Sequence, residues 1–294
     1  MEKRPTLMML MLAMMLVGRG GASSPENSDP PVPAGVWPLP AKMSCTSGVA
    51  TAISPDVKLT ATGAGASTDV TIASLSRYKA IILAGSVNLP TTADERLGAS
   101  AEQQQAAAAG ITSITVAVGS GAASLSANTD YSYTLKINAA AGEVTATAAS
   151  SFAVAYALEA FSQLLDKDGK LLCSTAIVVD KPQFVHRGLM IDTGRRFYPL
   201  TFVKSIVDGL AMSRMNVLHF HLSEECFRVE SLKFPQLVQN CIAGGHNNTA
   251  FYTQQDIAEL VAYSRLRGVR VLPGEAASLL AGCSFQGIAC SAAR

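Results

Sequence analysis

From Phe184 onward the chain alternates strand, helix, strand, helix, strand, and that order constrains the fold more than any other feature. Apolar runs predict strands over 185–192, 216–222 and 269–272. Between the first two, a helix over 199–214 carries Val203, Ile206, Val207 and Leu210 on one stripe. Thr253 and Asp256 make a capping box before Ile257, Leu260 and Val261, and Gly268 ends that second helix. Strands separated by helices of this length pair in parallel through right-handed crossovers.

The region before Phe184 has a different texture, rich in Ser, Thr, Ala and Gly with scattered strand signals such as 111–118. Its clearest element lies at 131–148. Tyr131, Tyr133, Leu135 and Ile137 alternate with Ser132, Thr134, Lys136 and Asn138, which puts the apolar groups on one face of a strand. A turn containing Gly142 leads into a second strand over 144–148, completing a hairpin. Ser150 or Ser151 then stands where it can cap a helix bearing Val154, Leu158, Phe161 and Leu165, a stripe able to cover the hairpin. The result is a compact α+β layer with a structural role. The segment 103–109 is a low-complexity helix or loop to which no function is assigned.

With 49% hydrophobic and 15% charged residues in 294, the chain can bury two cores. A net charge of +1, and no basic run beyond the first residues, gives no field for nucleic acid. Lys3 and Arg4, the apolar positions 6–17 and the small residues 20–24 read as a cleaved secretory signal over 1–22. The apolar part is shorter than the roughly 20 residues of a spanning helix, so no membrane span is expected in the mature chain. A Pro/Ser-rich leader follows over 23–35. The destination is the secretory pathway, extracellular or lysosomal/vacuolar. Cys45, Cys173, Cys226, Cys241, Cys283 and Cys290 would travel an oxidising route, where disulfides form. Spacing does not choose among the pairings, although Cys226 and Cys241 flank one predicted loop. Asn247-Asn248-Thr249 is a glycosylation acceptor between predicted elements, with Asn247 as the modified residue.

In parallel α/β folds, ligands gather at the carboxyl ends of strands. Asp192, Thr193, Gly194 and Arg195 follow the first strand, and Ser223, Glu224 and Glu225 follow the second. Arg195 offers a planar fork of donors suited to neighbouring hydroxyls or a carboxylate, and it can equally be engaged by Asp192 or Glu224. Arg196 is read as solvated. Glu224 and Glu225 leave the strand in different directions and do not form a catalytic couple, although Glu224 can hold another polar group in place. His219 and His221 share a strand face without a third ligand at metal spacing, so a packed pair inside the barrel is expected and no metal.

These residues resemble a known family. His186-Arg187-Gly188-Leu189-Met190-Ile191-Asp192-Thr193-Gly194-Arg195 with Tyr198-Pro199 is similar to the opening of the family 20 β-N-acetylhexosaminidase barrel. The likeness continues through Met215 to Leu222, Glu230-Ser231, Phe234-Pro235 and Tyr263 to Pro273. Upstream, Val36-Trp37-Pro38-Leu39-Pro40 and Phe161-Ser162-Gln163-Leu164 resemble the start and closing helix of the family's non-catalytic domain.

The resemblance implies an α+β domain over 36–180, the first βα units of a (β/α)8 TIM barrel over 181–273, and a divergent tail over 274–294. It also implies removal of terminal N-acetylglucosamine or N-acetylgalactosamine from glycans or chitooligosaccharides, with no cofactor. In such enzymes the substrate's own acetamide oxygen attacks the anomeric carbon, an Asp steadies the intermediate and the adjacent Glu is the proton donor. Arg195 matches the arginine that holds the terminal sugar's hydroxyls. Glu224 stands where the family has an Asp supporting the acid, and Gly194 where it often has Ser. After Pro273 the family's acidic segment and Pro-Gly-His are replaced by Gly274-Glu275-Ala276-Ala277-Ser278, and no Asp-Glu pair follows. The expectation is therefore an incomplete barrel with no catalytic residue in these 294 residues, and a polypeptide without turnover. The rival reading is a secreted sugar-binding or interaction protein that keeps only the Arg195 contact. The sequence leaves oligomeric state open.

Overall fold

The computed structural model describes residues 36–48, 51–84, 110–121, 124–223, 227–239 and 250–275. The expected signal and leader, segment 103–109, Glu224, Glu225, Asn247, the Cys226–Cys241 pair and residues 276–294 lie outside them.

Two sheets carry the fold. The first begins with β1 (Lys42–Thr46) and β2 (Ile53–Thr62), followed by helix α1 (Asp69–Ala84) and β3 (Ile111–Ser120). The hairpin β4 (Tyr133–Asn138) and β5 (Glu143–Ser150), helix α2 (Ala153–Ser162) and β6 (Thr175–Asp180) complete it. Strand order is β1-β6-β4-β5-β3-β2, with β2, β3 and β5 parallel and the remaining pairs antiparallel. Alternation decides which way each strand faces. Tyr133, Leu135, Ile137, Val144, Ala146 and Ala148 are buried, while Lys136, Asn138, Glu143, Thr145 and Thr147 face out.

Both helices lie on the apolar face. α2 is enclosed along Ala153–Phe161, and α1 packs beside it with Tyr78 donating to Glu159 Oε2 at 2.8 Å. Burial raises the Tyr78 phenol well above its ordinary value, because the phenolate would lose its water beside a carboxylate. Cys45 and Cys173 form a disulfide that ties β1 to the segment entering β6, so the sequence's open pairing question is answered for these two thiols. The expected serine cap on α2 is not made: Ser150 Oγ donates to Asp130 O at 2.6 Å and Ser151 Oγ to Ser120 O at 3.2 Å. The helix begins at Ala153 after Phe152, so neither serine stands at the capping position. Leu165, expected on the helix stripe, lies beyond it in a bridge to Leu171.

The second sheet holds β7 (Gly188–Asp192), β8 (Val217–Ser223) and β9 (Arg270–Glu275), all parallel in the order β7-β8-β9. Helix α3 (Leu200–Met212) joins the first two; the short α4 (Gln236–Gln239) and α5 (Gln254–Arg265) precede the third. Leu218, Phe220 and Leu222 pack against Val203, Val207 and Leu210 of α3 and Leu260 of α5. Thr253 accepts from the Asp256 amide at 3.0 Å while the Thr253 amide donates to the Asp256 carboxylate at 2.8 Å, so the capping box is complete. Gly268 takes φ +72°, a left-handed turn that L side chains resist, and α5 stops there.

The two sheets belong to one compact unit and meet across a polar seam. Arg214, with φ +55°, turns the chain from α3 into β8 and sends its buried guanidinium to Asp180 Oδ2 at 2.9 Å. Its carbonyl accepts from Tyr156 Oη at 2.9 Å and Arg187 Nε at 2.7 Å, and Tyr131 Oη donates to Gly268 O at 3.0 Å. Tyr131 and Tyr156 stack with ring centres 4.9 Å apart beneath Arg187.

Candidate sugar-facing site at the strand ends

Register places three rows of side chains on the sheet face opposite the helices. Gly188, Val217 and Arg270 form the first row; Met190, His219 and Leu272 the second; Asp192, His221 and Gly274 the third. The third row lies nearest the carboxyl ends. His219 and His221 share this face as expected, with ring centres 6.2 Å apart and planes perpendicular. The packed pair expected inside a barrel is not what is observed, because His219 is exposed. Gly274 lies against the His219 ring, so a Cβ there would require that exposed ring to turn aside. Among the described residues no cluster of three His, Cys, Asp or Glu could hold a metal ion.

The chain leaves β7 through a tight turn built on its own carboxylate. Asp192 Oδ1 accepts from the Arg195 amide at 3.0 Å, and Oδ2 lies 3.4 Å from Arg195 Nε. The Arg195 side chain is 67% exposed, so this pairing leaves part of its fork facing solvent at the strand end. Of the alternatives open from sequence, contact with Asp192 is thus realised and compatible with outward display. Arg196 lies over the Tyr198 ring with its guanidinium carbon 5.8 Å from the centroid.

Both ends of this turn are fastened to residues that sequence reasoning missed. Thr193 is fully buried; its amide and hydroxyl both donate to His221 O, at 2.9 and 2.7 Å. Its carbonyl accepts from Arg228 Nε at 3.3 Å, and Arg228 Nη1 donates to Ala250 O at 2.9 Å. Arg228 is only 1% exposed, and burial lowers its guanidinium from its ordinary pKa. At the far end, Tyr252 Oη donates to Tyr198 O at 2.5 Å. The Tyr252 ring packs between Phe197 and Phe220, with centres 4.9 and 5.1 Å away. Burial raises the Tyr252 phenol. The only signal in sequence was an arginine and a tyrosine beside predicted loops, which does not say that the loops converge.

Two family models match the chain. "Glycosyl hydrolase family 20, catalytic domain" covers residues 184–276, and "beta-acetyl hexosaminidase like" covers residues 36–164. The chain belongs to glycosyl hydrolase family 20.

Human beta-hexosaminidase subunit beta is 37% identical over 119 residues, which is 40% of this chain and 21% of that protein. The solved chitobiase of Flavobacterium johnsoniae is 25% identical with TM-score 0.62, covering 81% of this chain and 34% of its own. The exo beta-N-acetylglucosaminidase of Vibrio harveyi, solved in complex with N-acetylglucosamine, shares the fold at 21% identity and TM-score 0.57, covering 85% and 38% respectively. The chain thus spans about a fifth of the length of the human relative. No helix among the described residues is long and apolar enough to cross a membrane.

Proposed function

We propose that this polypeptide carries the α+β scaffold (36–180) and the sugar-facing opening (181–273) of a β-N-acetylhexosaminidase barrel, and that Arg195 binds hydroxyls of a terminal N-acetylhexosamine. The observation that carries the reading is the Thr193–Tyr198 turn, held at both ends with the Arg195 side chain displayed at the carboxyl end of the sheet. The Arg195 side chain is 67% exposed beside Asp192, and a planar guanidinium of this kind suits vicinal hydroxyls. The ligands are N-acetylglucosamine- or N-acetylgalactosamine-terminated glycans or chitooligosaccharides, met in the secretory pathway, with Asn247 as a glycan acceptor. By its position in the sequence just after β8, Glu224 is assigned a supporting role toward neighbouring polar groups.

The whole reaction, in this reading, is the retaining substrate-assisted hydrolysis in which the acetamide oxygen attacks the anomeric carbon. It needs one carboxylate to steady the intermediate and a second to donate a proton to the leaving oxygen. The strand ends described here contribute binding groups, and we assign neither carboxylate role to any residue of these 294. The polypeptide alone therefore binds the sugar without cleaving it. Purified protein incubated with a chromogenic N-acetylglucosaminide is expected to release no chromophore above buffer. Release that persists through successive purification steps would overturn that part of the proposal.

A further inference from the structure

The residues that hold the Arg195 turn are the strongest unused feature of the molecule. Arg228 is the largest side chain among those fully enclosed, and its guanidinium meets only carbonyl oxygens, Thr193 O and Ala250 O, among the described residues. Its Nη2 has no hydrogen-bond partner among the described residues. Enclosing a cation with neutral acceptors costs stability relative to an apolar side chain of like volume, so packing alone does not explain an arginine here. What the arginine does achieve is geometric. A single planar fork ties the loop after β7 to the segment leading into α5, and its own backbone joins β8, with its amide donating to Leu222 O at 3.0 Å and its carbonyl accepting from the Tyr252 amide at 2.8 Å. Tyr252 then holds the other end of the same turn at Tyr198 O.

We propose that Arg228 and Tyr252 are positioning residues: together they fix the Thr193–Tyr198 turn and thereby set the affinity of the Arg195 fork for sugar hydroxyls. The inference rests on the reading of Arg195 as a sugar ligand. Arg195 is itself largely exposed, and an exposed long side chain binds well only if its backbone is held. Neither positioning residue needs to touch sugar. Removing either anchor frees one end of the turn and raises the ordering cost at binding.

The test uses the whole polypeptide and four variants: Tyr252→Phe, which deletes one hydroxyl and keeps the ring; Arg228→Lys; Arg228→Met; and Arg195→Met. Hydrogen exchange reads the turn and N-acetylglucosamine titration reads the site. In Arg228→Met the Thr193 amide should exchange roughly tenfold faster with β4 amides unchanged, and in both Arg228→Met and Tyr252→Phe Kd should rise roughly 5- to 10-fold, the effect of one lost anchor bond. Arg228→Lys should recover part of that loss. If Tyr252→Phe and Arg228→Lys both fold and bind as the parent does while Arg195→Met loses binding, the positioning proposal is wrong. Should Arg195→Met keep its affinity, the sugar reading fails instead; the Thr193 exchange rate then decides the anchoring alone, and an unchanged rate overturns it.

Discussion

The six-stranded and three-stranded sheets each bury one face under helices, but they differ in what the other face carries. In the first, the open face bears Thr60, Thr115, Thr145 and Lys136 in one row across four strands, and the row runs on to Ile177 of β6 (48% exposed), with Val179 (39%) on the same face. In the second, the corresponding face bears Met190 (54% exposed) and Leu272 (37%) on either side of His219. A sheet bare on one side is self-sufficient when its outward residues are polar. The first sheet confines its exposed apolar pair to β6 in an otherwise polar row, whereas two of the three residues in the Met-His-Leu row are apolar, so the second sheet is expected to depend more on what holds it to the first.

The largest effect should come from cutting that hold. Arg214→Met leaves the enclosed Asp180 carboxylate without its cation and should lower stability by about 3–5 kcal/mol, read by urea unfolding. The comparison sharpens if exchange in β7–β9 then becomes fast while β3–β5 stays protected; equal loss in both sheets would break it. Replacing Cys45 and Cys173 with alanine should cost about 2–4 kcal/mol and act on the first layer, with amides of β1 and β6 losing protection before those of β8.

Smaller changes probe single elements. Thr253→Ala removes the capping box of α5 and should cost about 1 kcal/mol, lowering Tm by a few degrees. Least of all is the Asp69–Arg265 pair that links α1 to α5. The Arg265 guanidinium lowers the Asp69 carboxyl below the usual carboxylate range, so the pair stabilises the fold above that range and the contribution disappears as pH falls through the lowered value. On the surface this is worth at most about 1 kcal/mol, so Arg265→Ala should differ slightly from the parent at pH 7 in low salt and not at pH 2.

Local signals were legible where one segment decides its own structure. Thr253 with Asp256, Gly268 and the alternation from Tyr131 to Ile137 state their elements outright, because cap, turn and pleat each depend on residues a few positions apart. Helix α1 escaped notice because its core face mixes Val70, Tyr78 and Ile82 with Thr71 and Ser74, which blurs the apolar stripe. Ser150 and Ser151 misled because the helix starts only after Phe152, and both hydroxyls donate instead to carbonyls elsewhere in the first layer. Within the site, Arg195 stood out from its place after a strand. Arg228, Tyr252 and the Cys45–Cys173 bond did not, since each matters only once segments distant in sequence are brought together.

The most direct measurement is a calorimetric or NMR titration of N-acetylglucosamine into the purified polypeptide and its Arg195→Met variant. The account predicts saturable binding by the parent and its loss in the variant, with both proteins equally folded. Equal affinity in the two, or no saturation in the parent, would contradict it.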